Sequence, residues 1–407
     1  VRMRETLLFA GAIQKRIGGD RFINDLASFY SITGHSRRAD LVQARDWLKS
    51  GVKQLNSSNI EGARTLFAQA RQMFNRVGNV GEALQAEFLL GKCYRKQSEL
   101  VIRSNIYQRL AQVSARSQYK LLLTQTLIAQ SEAESGLANY SNVIEYSRQG
   151  LRVAQAVGDT SSCATFLIQA ADSYNKLGDH HQSLKLYHDV LTQINRYQVE
   201  PFLRWALYMS ISLPLNSLGR HTAAVEYQRE SLRIARAIGS LRQVCRSHVN
   251  LALTYGFQRN YEEATKNAQL AFDLAQGIPD GYYRTEHLAL ASLKLGQLYI
   301  QAGDFAKARQ NFDRALQLYD GLDYQQAFTY VARKGKLIAA LAQGETSSLD
   351  EEIKTVLELF EKYRVRIREE NNRNSFFDVE QSVYDIAINY WHTEKNDTHT
   401  AFELAER

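Results

Sequence analysis

Only three prolines and three cysteines occur in the 407 residues, and no apolar run approaches the roughly 18 residues that cross a bilayer. Scarce proline leaves long helices uninterrupted. Cys93, Cys163 and Cys245 are too few and too widely separated for a disulfide framework and never form a CxxC pair, a usage compatible with a reducing cytoplasm. There is no GxxxxGK[ST] loop, no GxGxxG turn and no HExxH helix, so those routes to nucleotides and zinc are unsupported. Low-complexity segments and long Gly/Ser or Pro-rich linkers are lacking too.

A repeat is present. A sparse pattern of small and aromatic residues returns seven times at spacings of 40 to 44 residues. Its clearest copies run Trp47, Gly51, Ala63, Phe67, Ala70 and Leu295, Gly296, Tyr299, Ala308, Phe312, Ala315. The small residues let two antiparallel helix backbones approach, and the phenylalanine fills the adjoining gap. Weaker copies pass through Gly91 and Tyr94, through Ala171, Tyr174 and Tyr187, through Ala224 and Ala235, and through Ala252, Tyr255, Ala264 and Ala271; the copy near Ala129 to Gly150 is barely visible. Second helices such as Glu61 to Val77 end at Gly78, Gly158 and Gly239, and tight turns are marked by Gly178-Asp179, Gly219-Arg220 and Gly303-Asp304.

The pattern resembles the tetratricopeptide repeat, with each helix pair longer than the usual unit of about 34 residues. HEAT-like repeats of about 40 to 47 residues are the alternative, disfavoured by the Ala, aromatic, Ala spacing of the second helix. The expected fold is all-α, a right-handed superhelical solenoid of tetratricopeptide-like hairpins with a repeat of about 40 residues. Residues 1–40 are expected to form N-terminal capping helices, 41–343 about seven repeats, and 344–407 C-terminal helical repeats leading to a missing downstream domain. Gln343 to Asp350 is the expected seam, and Pro214 is expected to kink a first helix.

In such an array the first helices line a concave groove that selects a protein or peptide segment. Projecting the register places Phe88, Lys92, Arg95 and Lys96 of the second unit, and Asp172, Asn175 and Lys176 of the fourth, toward that groove or its rim. A chaperone-type carboxylate clamp is excluded, because Leu48 and Val52 occupy its positions in the first unit.

The search for chemistry finds only weak constellations. Cys245 and His248 share one helix face, but a first helix of a repeat normally buries a cysteine as packing. His180, His181 and His188 lie near a turn, where histidines are ordinarily solvated. Glu262-Glu263 and Asp350-Glu351-Glu352 sit at helix starts, where carboxylates complement the helix dipole. No catalytic, metal or cofactor residues are assigned, and an enzyme is not expected.

Charge is uneven. Residues 1–120 hold 20 Lys/Arg against 9 Asp/Glu, and the remainder 30 against 34. Arg37-Arg38 and the Lys92, Arg95, Lys96 group are the densest basic points, yet neither is a run of five, so nucleic acid is not the expected partner.

The stretch Asn374-Ser375-Phe376-Phe377-Asp378-Val379-Glu380-Gln381-Ser382-Val383-Tyr384-Asp385-Ile386-Ala387-Ile388, with Ala401 to Arg407, resembles the junction before the protease domain of bacterial CHAT proteins, caspase-like proteases associated with tetratricopeptides. That resemblance implies a non-catalytic regulatory scaffold in a bacterial cytoplasm, part of a longer chain, whose partner is a protein segment or its own caspase-like domain. It carries over no catalytic residue, since the family's histidine and cysteine have no counterpart here. The alternative is an effector- or peptide-sensing array of a bacterial regulator.

Overall fold

The computed structural model describes residues 2–32, 37–57, 59–94, 97–194, 200–279, 281–320, 322, 326–344, 349–366 and 382–406, and among them every regular element is helical. Two compact units divide the chain, residues 1–203 and 204–407. The first contains α1 (Arg2–Gly18), α2 (Phe22–Ile32), α3 (Arg38–Asn56), α4 (Ile60–Arg76), α5 (Val80–Gly91), α6 (Leu100–Arg116), α7 (Lys120–Gly136), α8 (Tyr140–Val157), α9 (Thr160–Lys176) and α10 (His180–Ile194). From α3 onward these are stacked antiparallel pairs, a helical solenoid.

Sequence dictates each pair in the same way. Asn59 caps α4 by accepting the Gly62 N–H at 3.2 Å, and Ala63, Phe67, Ala70 and Phe74 then recur on one buried face. Burying Phe67 completely stabilises the pair by about 1.5–3 kcal/mol. The ring occupies the space left by Gly51, where a Cβ would come within 2.6 Å of it. In the third copy the roles are exchanged between helices. Gly150, on the second helix α8, receives the Phe166 ring from α9 of the following repeat. This exchange explains why that copy is so faint in the sequence.

Second helices close as expected, with Gly158 and Gly239 in the left-handed conformation at φ +72° and +74°. Among the described residues four positions adopt it without glycine: Gln118, Ala138, Arg259 and Asn396. A side chain in that region costs about 1–2 kcal/mol, partly offset by the entropy a glycine would lose. Arg259→Gly, at an exposed turn with φ +59°, is therefore expected to stabilise the second unit by up to about 1 kcal/mol. A urea midpoint that moves down would show that the arginine side chain outweighs the backbone strain.

The N-terminal pair α1–α2 lies across the turns that lead into α5, α7 and α9. Lys120 Nζ donates to the Gly18 carbonyl at 2.7 Å, the Leu121 N–H donates to Asp20 at 2.7 Å, and Gly18 packs on Val157. Phe22 meets Tyr119 edge-on at 5.2 Å, and the Tyr119 hydroxyl donates to Asp25. A buried carboxylate, Glu82, completes the attachment. It accepts from the Tyr30 hydroxyl, from Asn79 at 2.6 Å and from Arg45 at 2.8 Å, while the Arg45 guanidinium also covers the Tyr30 ring. Glu82→Ala strands these donors and is expected to cost about 2 kcal/mol. Hydrogen exchange should then speed up in α1 and α2 while the second unit is unchanged; uniform acceleration would contradict a local role.

The second unit comprises α11 (Pro201–Ser217), α12 (His221–Ile238), α13 (Leu241–Phe257), α14 (Tyr261–Gln276), α15 (Tyr282–Gln301), α16 (Phe305–Asp320), α17 (Gln326–Ala342), α18 (Leu349–Arg366), α19 (Ser382–Asn389), a π-helical turn (Tyr390–Glu394) and α20 (Thr398–Ala405). Pro214 lies inside α11, where only the Ser210 carbonyl loses its helical donor. Of the expected seam, residues 345–348 lie outside the described residues. Among the described residues no helix is long and apolar enough to cross a membrane.

Candidate binding groove

Neighbouring first helices of the second unit stand side by side, tied by buried polar contacts. Trp205 Nε1 on α11 donates to Ser247 on α13 at 2.9 Å, and Asn216 donates to Thr254 at 3.2 Å. Further along, α13, α15 and α17 enclose a cavity of about 400 Å³. Leu253, Gly256 and Phe257 come from α13; Lys294, Gln297, Leu298, Ile300 and Gln301 from α15; Val331, Lys334, Gly335 and Ile338 from α17. These residues fall on successive turns of each helix, so one face of each supplies them.

The floor is Phe312, which reaches forward from α16 and is fully buried. Two glycines make room for it. A Cβ on Gly296 would lie 2.7 Å from the ring and one on Gly335 2.3 Å from it, so the ring is clasped by the first helix of its own repeat and that of the next. At the rim Phe257 is 50% exposed, its ring stacked on His221 at 5.9 Å. Polar groups are few and deliberately spaced: Lys294 Nζ donates to Gln297 at 2.8 Å, and Lys334 Nζ donates to Ser382 at 2.9 Å. A mostly apolar trough with a few polar groups is the usual composition of a ligand site.

The expected groove residues have mixed placements. Phe88 is corrected: it is 7% exposed and packs against Tyr107, inside the core. Its position, three before the repeat's small residue, is also buried at Ile168, Val249 and Leu293, because it faces the second helices. Lys92 is exposed at the end of α5 with its ammonium 4.8 Å over the Phe88 ring. Arg95 and Lys96 lie outside the described residues. Asp172 accepts from the Tyr187 hydroxyl, Asn175 Oδ1 is 2.8 Å from His180 Nδ1, and Lys176 is exposed. Asp172 and Asn175 thus brace their own hairpin.

The offsets themselves recur in the cavity. Lys92, Arg95 and Lys96 stand one, four and five residues after Gly91, as do Asp172, Asn175 and Lys176 after Ala171. Counting likewise from Ala252 gives Leu253, Gly256 and Phe257, and from Gly296 gives Gln297, Ile300 and Gln301, all of which line the cavity. The same three offsets therefore line the cavity in the sixth and seventh copies, which the sequence reading did not single out.

The thiol and imidazole on α13 do not meet. Cys245 Sγ donates to the Ala271 carbonyl at 3.1 Å, and burial pushes its pKa up to about 12. His248 Nδ1 instead lies 2.9 Å from Asn267, and burial lowers its pKa. A thiol held protonated is a poor nucleophile. Among the described residues no group of three His, Cys, Asp or Glu side chains could hold a metal ion.

The tetratricopeptide-repeat family pattern matches residues 243–321, spanning α13 to α16. No curated protein matches the chain. Among solved structures, a Rap protein complexed with Competence and Sporulation Factor is similar at 15% identity and a TM-score of 0.56, over 90% of this chain and 99% of that one. The Rap conjugation gene regulator of the plasmid pLS20 in complex with the Phr* peptide is 12% identical with a TM-score of 0.53, over 89% and 93%. The apo form of RapI gives 14% and 0.53, over 89% and 95%. At these identities the likeness is one of fold: an all-α solenoid of tetratricopeptide-like hairpins.

Proposed function

We propose that this chain is a protein-interaction scaffold that holds a protein or peptide segment in the groove of α13, α15 and α17. The observation that carries the reading is the cavity built from equivalent positions of successive first helices, apolar at its floor and edged by polar side chains such as Lys294, Gln297 and Gln301. An extended or helical segment laid across such a row meets side chains from each helix in turn. Binding here requires no catalytic group, in keeping with the buried, protonated Cys245 and its separation from the His248 partner.

The resemblance of Ser382 to Ile388 and Ala401 to Glu406 to the pre-protease junction of CHAT proteins supports placing the scaffold beside a caspase-like domain. The rest of that resemblance, Asn374 to Gln381 and Arg407, lies outside the described residues. A peptide-sensing regulator is the second reading, favoured by similar folds in a Rap protein complexed with Competence and Sporulation Factor and in a regulator in complex with the Phr* peptide.

Panning a random 12-residue peptide library on the chain, then locating bound peptides by hydrogen exchange, tests the common core of both. Protection of α13, α15 and α17 is the expected result. Protection elsewhere, or no binder at micromolar concentration, would overturn it. The reading frame after Arg407 separates the contexts: a domain with a His/Cys pair supports the first, a helix-turn-helix the second.

A further inference from the structure

We infer that the outer face of α1 rests on an anionic lipid surface, with its apolar stripe among the headgroups and its cations on their phosphates. This inference is independent of the groove in the second unit. α1 carries two stripes. Leu7, Gly11, Gln14 and Gly18, spaced i, i+4, i+7 and i+11, are its buried or half-buried positions. A Cβ on Gly11 would lie 2.7 Å from the Asn24 backbone of α2, and one on Gly18 would lie 3.2 Å from Val157 of α8. Phe9, Ile13 and Ile17 recur on the opposite side and are 69%, 40% and 79% exposed. The inner stripe attaches the helix, and the outer one faces away from it. Among the described residues fifteen large apolar side chains are exposed, and five of them, Leu8, Phe9, Ile13, Ile17 and Ile32, belong to α1 and α2. Such a concentration marks an interaction surface.

Charge identifies the occupant. The sequence of α1 holds Arg2, Arg4, Lys15 and Arg16 against Glu5. Lys15 and Arg16 are exposed, and Arg16, three residues after Ile13 and seven after Phe9, shares their face. Every Asp and Glu of residues 1–203 is among the described residues, and none of them forms an ion pair with Lys15 or Arg16. With four cations against one carboxylate, the helix is repelled by a second copy of itself laid along it in either direction. A partner's helix is ordinarily held in a groove, whereas side chains as exposed as Phe9 and Ile17 form a ridge. A lipid interface needs no groove. Headgroups and acyl chains close around a ridge, and each lysine or arginine near the anionic surface strengthens binding several-fold. A helix of 17 residues with four cations lies in the interface plane and does not cross it.

The test is co-sedimentation of the whole chain with extruded vesicles, either of phosphatidylcholine alone or of an equal mixture with phosphatidylglycerol. Binding to the mixture is expected to be at least about tenfold stronger, a margin that salt reduces. F9S/I17S should weaken binding to the mixture at least about tenfold and keep the parent melting temperature, since both side chains are already exposed. K15E/R16E should abolish the preference for anionic vesicles. F402S, which removes a comparably exposed phenylalanine from α20, should leave both results unchanged. Equal binding to the two kinds of vesicle, no binding to the mixture at about 1 mM lipid, or an unaffected F9S/I17S variant overturns the assignment. A dimer in sedimentation equilibrium that F9S/I17S dissociates overturns it in favour of a second copy. Protection of α1 from hydrogen exchange by a glutamate-rich amphipathic peptide, and not by vesicles, overturns it in favour of an acidic protein helix.

Discussion

Phe312→Ala is expected to destabilise the second unit by about 3–5 kcal/mol, the range for emptying a fully buried aromatic site. The loss should reach the upper part of that range because the ring serves two interfaces at once, filling the hollow at Gly296 and the one at Gly335. Neither glycine can be enlarged while the phenylalanine remains. Gly335→Ala would set a methyl 2.3 Å from the ring and is expected to cost about 1–3 kcal/mol through overpacking. The two changes should not add: with Phe312 already alanine, the methyl at 335 occupies vacated space and recovers part of the loss. Urea unfolding of the two single variants and the double variant measures this coupling. Strict additivity would mean that the ring and the glycine do not share a contact.

Alkaline pH is expected to weaken the fold between about pH 9 and 12, with Cys245 as an identifiable contributor. The thiol has an ordinary value of 9.0 and is held at about 12 by burial, so the unfolded chain releases this proton first. The stabilisation is complete below pH 9 and is lost as pH rises toward the folded value, by up to about 1.4 kcal/mol per pH unit. Tyr119 adds to the upper part of the window, since burial followed by the charge of Asp25 raises it to about 12. Cys245→Ala should lower stability at pH 7 by removing packed sulfur and should flatten the slope between pH 9 and 11. A parallel slope in both proteins would show that the thiol does not ionise on unfolding.

The fold was legible because its period survives in very few residues. Gly51 with Phe67 and Gly296 with Phe312 each encode a helix contact that larger residues forbid, so the pairs mark the hairpins even where everything between them varies. The third copy was obscure for the same physical reason inverted, with Gly150 serving Phe166 of the next repeat. The groove was half legible. Offsets of one, four and five from the small residue do reach it, but which copies form a cavity depends on how closely their first helices approach, a property spread over many weak contacts. Phe88 was misplaced because an aromatic near a groove register serves equally well as core. The attachment of α1–α2 has no periodic signature, since it uses individual groups such as Asp20, Tyr30 and Glu82 that are far apart in the chain.

That attachment changes how the first unit assembles. In a plain array every repeat touches only its neighbours, and the end repeats can come and go one at a time. Here Lys120 reaches back across 102 residues to Gly18, and Tyr119 across 94 to Asp25. Each bond closes a loop over the two hairpins α3–α4 and α5–α6, so its ordering entropy must be met before the contact forms, which slows folding relative to a purely local array. Once closed, the loop couples those hairpins as links of a ring, and the end of the array that would otherwise fray first opens only when the whole ring does.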